Sequence, residues 1–323
     1  MKKVIFLAIA AAAALTACSK SEVIDSKYGN DMIGFETYLG RDAQTKAKPI
    51  ERADLTSVKI FGYYHGTSKW DEAKSLLWAN GLTLTTTSDA VSQPAGADVR
   101  YWANDSDLYS FLAYSPVEGL VEGEGFDAND PTLTYTVNND FTNGDVLVAV
   151  PQKDRKQGDG TVSLQLQHKL SRLTVDAEVV AGVFEFRVKE ITLTGAFNTT
   201  GTISLADPTT WTATPTASTS YTFHNADDAE VALESGQISD KGYLMLIPVT
   251  AAEHQATLTV AYTTYDPNAK QESSVYTQTY NVTNDFAMGT AYAIKLKFEN
   301  DAKTIVFDVE VDPTWQNGEA TIE

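Results

Sequence analysis

The residues with the most legible chemistry are Ala17 and Cys18. Met1-Lys2-Lys3 is a short basic start, Val4 to Ala14 is a continuous apolar run, and Leu15-Thr16-Ala17-Cys18 places a small-residue cleavage site directly before a cysteine. That is the pattern of a bacterial secretory signal ending in a lipobox. It predicts cleavage between Ala17 and Cys18 and lipidation of the Cys18 thiol, the only thiol in the chain. The apolar run is shorter than the ~20 residues that cross a bilayer as a helix, so the expectation is a lipid-tethered body rather than a spanning segment.

Elsewhere the chemistry-bearing residue types do not fall into catalytic patterns. None of the four histidines, His65, His168, His224 and His254, has a second histidine at metal-ligand spacing. Nucleophile elbows, phosphate-binding loops and dinucleotide-binding glycine motifs do not occur. Asp127-Ala128-Asn129-Asp130 and Asn143-Gly144-Asp145 carry oxygen ligands of the kind calcium takes, but the full ligand ladder is missing and such clusters are turns more often. A glycosidase carboxylate pair is set in space rather than in sequence, and forty-three acids make any pair uninformative. Trp70, Trp78, Trp102, Trp211 and Trp315 would suit a sugar-stacking platform, or equally the cores and edges of β-sandwiches. The expectation is a non-enzymatic protein with no catalytic residues, no metal and no cofactor.

Composition sharpens this. With no cysteine beyond Cys18, a disulfide or a cysteine-ligated metal within one mature chain is excluded. The formal charge of -19 argues against nucleic acid as a partner, because phosphate recognition needs clustered Lys and Arg. A mature chain of about 300 residues suggests two domains and a sizeable core.

The elements that follow are strands. From Asp31 to Leu39, Ile33, Phe35, Thr37 and Leu39 share one face, with Gly34, Glu36 and Tyr38 on the other. A polar, basic, aperiodic stretch from Gly40 to Arg52 then reads as an exposed segment of the kind proteases nick. Further strand signals cover Val58–Tyr64, Leu82–Thr87, Leu108–Tyr114, Thr132–Val137, Val146–Val150, Val162–Leu166, Leu170–Val179, Phe184–Leu193, Gly201–Leu205 and Tyr221–Phe223. They continue through Gly242–Pro248, Ala256–Tyr265, Tyr276–Val282, Ala291–Phe298 and Thr304–Val311. In the last, Ile305, Phe307, Val309 and Val311 alternate with Val306, Asp308 and Glu310. One short helix is expected at Asp71–Leu77, and a charged turn at Asp154–Gly160. Many short strands with turns at short spacing predict an all-β sandwich architecture. The expected division is a signal peptide at 1–17, a lipidated tether at 18–30, and β-sandwich domains at 31–158 and 159–323.

Several segments, taken in order, resemble a known family. Ile33-Gly34-Phe35-Glu36-Thr37 with Thr45-Lys46-Ala47, Arg100-Tyr101-Trp102 with Leu108 to Pro116, and His168-Lys169-Leu170-Ser171-Arg172-Leu173 are three of them. Leu246-Ile247-Pro248, Gly289-Thr290-Ala291-Tyr292 and Val311-Asp312-Pro313-Thr314-Trp315 are the others. Together with the lipobox they resemble the fimbrillin family (Mfa-like) of Bacteroidales surface lipoproteins, the pilin-like proteins of type V pili. The resemblance implies two transthyretin-like β-sandwich domains, an outer-membrane lipoprotein, and a structural or adhesive pilus subunit. Its implied partners are other pilin subunits, a trypsin-like protease, the outer membrane through the lipid, and a surface receptor on host or bacterium. In that family the protease removes the N-terminal strand, and a strand from a neighbouring subunit fills the groove.

Carried onto this chain, the implied excised strand bears Ile33, Phe35 and Leu39, and the implied cut falls at Arg41 or Arg52. The family favours Arg where this chain has Lys46, and Lys48 is blocked by Pro49. An uncleaved member would serve as a cap or anchor. Thr304 to Ile322, with Ile305, Phe307, Val309 and Val311, is either a donor strand or a strand that pairs within its own domain. The alternative to a pilus subunit is a lipid-anchored glycan-binding protein, which needs a solvent-facing aromatic row.

Overall fold

The structure, a computed structural model, describes residues 32–39, 55–71, 76–86, 92–115, 121–122, 131–138, 141, 144–180, 182–226, 233, 236–237, 243–299 and 304–312. Ala17, Cys18, Arg41, Arg52, Lys46, Asp127–Asp130, Trp315 and the tether lie outside them.

The chain is all-β. Strand β1 (Phe35–Leu39) is followed by β2 (Ser57–Tyr64), β3 (Leu76–Thr85), β4 (Tyr109–Ser115), β5 (Val121–Glu122), β6 (Thr132–Thr136), β7 (Leu147–Ala149), β8 (Gln152–Arg155) and β9 (Val162–His168). Then come β10 (Ser171–Val179), β11 (Glu185–Gly195), β12 (Asn198–Ser204), β13 (Trp211–Pro215), β14 (Thr219–Asn225), β15 (Gly236–Gln237) and β16 (Leu244–Leu246). A single helical turn α1 (Ala251–His254) precedes β17 (Thr257–Asp266), β18 (Gln271–Glu272), β19 (Tyr276–Asn281), β20 (Ala291–Glu299) and β21 (Thr304–Asp312).

Four sheets result. The largest has seven strands in the order β1-β9-β7-β4-β2-β3, with β8 also on β4. A second runs β15-β10-β20-β21 with β16 on β10, and a third β14-β11-β17-β18 with β19 on β17. The fourth runs β13-β12-β6-β5. Most pairings are antiparallel; β1 on β9 and β10 on β20 are parallel.

Alternation explains how the sheets stack. In β9, Val162, Leu164 and Leu166 are fully buried while the residues between them are half-buried, the period of a strand with one core face. In β4 all seven residues are buried, because both of its faces are covered. Tyr109, Phe111 and Ala113 join one apolar cluster with Ile33, Phe35, Val58, Ile60 and β9. Leu112 and Tyr114 point into a second, larger cluster with Phe61, Tyr63 and Val148. That cluster continues through β10, β11, β17 and β20. Phe186 of β11 meets Phe298 of β20 at 5.1 Å between ring centroids, joining the second and third sheets across the core.

Two expectations need correction, and one boundary needs restating. Leu76 and Leu77, expected to close a short helix from Asp71, instead open β3, opposite Tyr64 and Tyr63; the cross-strand partners override local helix propensity. A helical turn does occur, at α1, where the Glu253 carboxylate reaches back to accept from the Thr250 N–H at 3.0 Å and hydroxyl at 2.7 Å, a capping arrangement. The Asp154–Gly160 segment begins as β8, and the turn lies further on, where the Asp159 N–H donates to the Lys156 carbonyl. The division at 158/159 falls inside the seven-stranded sheet, since β9 lies between β1 and β7. β6, from the N-terminal side of that division, pairs with β12.

Gly195 tests how tightly this core closes. A Cβ built there would sit 2.7 Å from the His254 carbonyl oxygen and 3.0 Å from Ala256 Cα, both backbone contacts. His254 itself is fully buried, accepting from the Ala256 N–H at 2.9 Å and donating Nε2–H to the Asn284 carbonyl at 3.0 Å. Gly195→Ala is therefore expected to lower the unfolding free energy by about 1–3 kcal/mol, the usual cost of overpacking, measured by urea denaturation.

Candidate functional site

The site built from the residues upward is the seat of β1. Ile33 is fully buried, Phe35 is 3 % and Thr37 2 % exposed, and Leu39 is half-buried against the same cluster. The sequence-derived apolar face is thus the core face. β1 lies parallel to β9 with Phe35 opposite Val162, Thr37 opposite Leu164 and Leu39 opposite Leu166. The Phe35 ring meets the Phe111 ring edge-on at 5.5 Å. Burying an Ile and a Phe is worth about 1.5–3 kcal/mol each, so this strand is a substantial part of the core it completes.

Among the described residues, β1 is the end strand of its sheet, and a side chain meets the outward backbone groups of Phe35. The Phe35 N–H donates to Gln93 Oε1 at 3.0 Å, and Gln93 Nε2 donates to the Phe35 carbonyl at 2.7 Å. One carboxamide thus supplies the donor and acceptor that a neighbouring strand would. Before it, the Ile33 N–H donates to the Arg100 carbonyl at 2.9 Å, beside an isolated antiparallel bridge of Met32 with Tyr101. Sequence reasoning missed Gln93, since no periodicity marks a side chain that imitates a strand. After residues 40–54, which hold Arg41 and Arg52, the chain re-enters the same core at Leu55, 5 % exposed, whose carbonyl accepts from Thr86 Oγ1.

The second set of strand-exchange candidates sits far along the chain on β21. In this structure β21 pairs antiparallel with β20 of its own chain, from Ala291 opposite Asp312 to Glu299 opposite Thr304. Ile305 is buried, Phe307 and Val309 are half-buried against the large core, and Phe307 stacks on Tyr280 at 5.1 Å. Val311 departs from this face in burial: it is 46 % exposed, like Val306. The Ile305 N–H donates to Gln278 Oε1 at 3.1 Å, a second glutamine placed on an edge strand.

The remaining chemistry-bearing residues are engaged in the fold. His65 Nδ1 lies 2.5 Å from the Ser68 carbonyl, so it carries the proton, and Nε2 accepts from Ser110 Oγ at 3.0 Å. A Ser–His contact is half of a nucleophilic arrangement, yet Ser110 is fully buried and its Oγ also accepts from the Asp154 N–H at 3.1 Å. The contact fastens β4 to β8. Asp145 accepts from the Val146 N–H at 2.7 Å through Oδ1 and bonds His168 Nδ1 through Oδ2, so both of its oxygens have protein partners. Among the described residues no group of three or more His, Cys, Asp or Glu could hold a metal ion. Trp102 is 7 % exposed and packs edge-on against Tyr109 at 5.1 Å; Trp70 and Trp211 pack against the large core. These three tryptophans do not form a solvent-facing row.

Among the described residues, Lys169 is the strongly perturbed cation. It is 4 % exposed, and its Nζ donates to Gln167 Oε1 at 3.0 Å. Burial pushes its ammonium down to about 8. Lys169 and Gln167 line a cleft of about 350 Å3 between the ends of β7 and β9 and the turn before β13.

Two predictions follow from this geometry. Gln93→Ala removes both hydrogen bonds to Phe35 and is expected to cost about 1–3 kcal/mol, with faster amide exchange at Phe35 than at Leu164. For Lys169, the folded state holds fewer protons than the unfolded chain between about pH 8 and the ordinary 10.5, so stability rises with pH through that window. Compared with Lys169→Met, the wild-type chain should gain on the order of 1–2 kcal/mol from pH 7.5 to 9.5, read from denaturation midpoints. Above pH 10 the buried Tyr221 phenol, pushed up to about 12, works in the opposite direction.

Comparison with solved structures places the same architecture in Bacteroides surface proteins. A fimbrial protein from Bacteroides vulgatus superposes with a TM-score of 0.61 at 18% identity, covering 87% of this chain and 99% of that one. Candidate cell adhesion proteins from Bacteroides uniformis and Bacteroides ovatus follow at TM-scores of 0.54 and 0.52, with 15% and 16% identity, each covering 87% of this chain and 97% of the other. No protein of curated function matches the sequence. The model of the Fimbrillin-like family matches residues 45–315, most of the 323-residue chain, and the chain belongs to that family.

Proposed function

We propose that this chain is a structural or adhesive subunit of a cell-surface fimbrium, assembled by protease-triggered strand exchange. The observation that carries the reading is the seat of β1: an edge strand with its apolar face in the core, held on its outer side by one glutamine and followed by a basic segment. The protein is exported as a lipoprotein, cut behind Ala17 and lipidated on Cys18, which brings it to the outer membrane. A trypsin-like protease then cuts at Arg41 or Arg52. Release of β1 exposes the β9 edge and an apolar slot beside Phe111, Val162 and Leu164, and a strand of another subunit adds there. β21 is the candidate donor, presenting Ile305, Phe307 and Val309 at the two-residue period that alternate pockets require. Membership of the Fimbrillin-like family supports a structural rather than an enzymatic role. The likeness to a fimbrial protein and to candidate adhesion proteins supports the cell surface as its place. For the glycan-binding alternative, Trp102 is buried and Trp70 and Trp211 are partly buried against the large core, so these three do not supply the solvent-facing row it needs.

The test is N-terminal sequencing and intact mass of the protein recovered from its native cell surface. A start just after Arg41 or Arg52, with SDS-resistant ladders on gels, is expected. In the Arg41→Gln/Arg52→Gln double variant the ladders should disappear while the longer chain accumulates. A wild-type protein that begins at lipidated Cys18 and runs only as a monomer overturns the exchange mechanism.

A further inference from the structure

The cleft at Lys169 is independent of the seat of β1 and suits a ligand. A lysine buried to 4 % exposure normally has a carboxylate partner, because an ammonium taken out of water loses more than a neutral hydrogen bond returns. Here Nζ donates only to the neutral Gln167 carboxamide. The other cation of the cleft, Lys153, is already engaged, 3.7 Å from Asp71 Oδ1 and 5.9 Å from the Trp70 ring centroid. The walls include Pro151 and the buried Pro208, and Asp207 lines the rim. Asp207 is turned to a neighbour, with Oδ1 accepting from Thr209 Oγ1 at 2.7 Å.

We propose that this cleft binds a small organic carboxylate, with the Lys169 ammonium as its counter-charge and the Gln167 carboxamide as its second hydrogen-bonding group. Gln167 Oε1 is taken by Lys169, which leaves its NH2 to donate to the ligand. One buried ammonium and one amide match the single charge and two oxygens of a carboxylate. A phosphate dianion would bring a second negative charge beside the Asp207 carboxylate at the rim, while Lys153 is already paired with Asp71. The proline walls suit the carbon skeleton of an organic acid. The chain's net charge of -19 does not forbid this, since at physiological salt charges beyond about 8 Å are largely screened and the local ammonium decides. A carboxylate bound beside Lys169 would favour its charged form.

The experiment is acylation of the wild-type protein by N-hydroxysuccinimidyl acetate near pH 8, read lysine by lysine by peptide mass spectrometry. Sodium acetate, sodium glucuronate and inorganic phosphate serve as probes. At about 10 mM, glucuronate or acetate is expected to slow acylation of Lys169 about fivefold or more, with Lys297 unchanged as the control. Phosphate should give less than about a twofold effect. Calorimetric binding of the protective anion should weaken about tenfold or more in Lys169→Met, and the wild-type labelling stands by itself should that variant not fold. Absence of protection by either carboxylate, or equal protection by phosphate, overturns the assignment. Protection that rises with protein concentration in the absence of added anion also overturns it, because the carboxylate would then come from another copy of the chain.

Discussion

The parallel pairing of β1 with β9 is the contact on which the first core depends. It places Ile33 and Phe35 against Phe111 and the inward residues of β9, and it closes one end of the seven-stranded sheet. A terminal strand is ordinarily the least costly element to lose. Here Ile33, Phe35 and Thr37 are buried about as deeply as the residues of the central strand β4, and Leu39 is half-buried. Loss of β1 therefore exposes two kinds of unmet demand together: the backbone groups of β9 and an apolar slot. An extended segment with alternating apolar residues meets both at once. Under the proposed exchange, the stability of the free subunit and its uptake of a partner strand would rest on the same few side chains.

The outer edge of β1 shows how that strand is held without being locked in. A covered edge protects a sheet from wrong pairing, and a full strand on the far side would trap β1 between two ladders. A single carboxamide, Gln93, meets both the donor and the acceptor of Phe35. Gln278 plays a comparable part on β21 by accepting from the Ile305 N–H. The two strands named as exchange candidates are thus both edge strands with an apolar inner face and a glutamine on the backbone.

Much of this was legible in the sequence where burial follows a single period. The alternation in β9, β10, β17, β20 and β21 located each strand to within a residue or two, because one face meets a core and the other meets water. The polar strands were not legible. β8, with Gln152 to Arg155, and β18, with Gln271 and Glu272, bury too little apolar surface to leave a pattern, and their partners alone define them. The same limit applied to sheet membership: nothing local says that β9 joins β1 rather than β10, or that β6 crosses to β12. At the candidate site, Ile33, Phe35 and Leu39 were readable from alternation. Gln93 and Lys169 were not, since their roles arise from residues distant in sequence or from burial that their types do not announce.

The two parallel pairings of the fold offer a final comparison. β1 on β9 and β10 on β20 are alike in direction, yet they differ in what flanks them and in how they are joined to the chain. β10 carries β15 and β16 on its other side, so its backbone is paired along both edges. It also follows β9 after only Lys169 and Leu170, which leaves almost no chain between the two strands for a protease to enter. β1 has the Gln93 carboxamide on the backbone of Phe35, and residues 40–54, with Arg41 and Arg52, separate it in sequence from Leu55 of the same core. A cut in that segment severs the covalent link and leaves only the non-covalent seat to hold the strand. Of the two parallel pairings, β10 on β20 is flanked by further strands of its own sheet while β1 on β9 stands at the end of its sheet, and under the proposed mechanism it is the second that is given up.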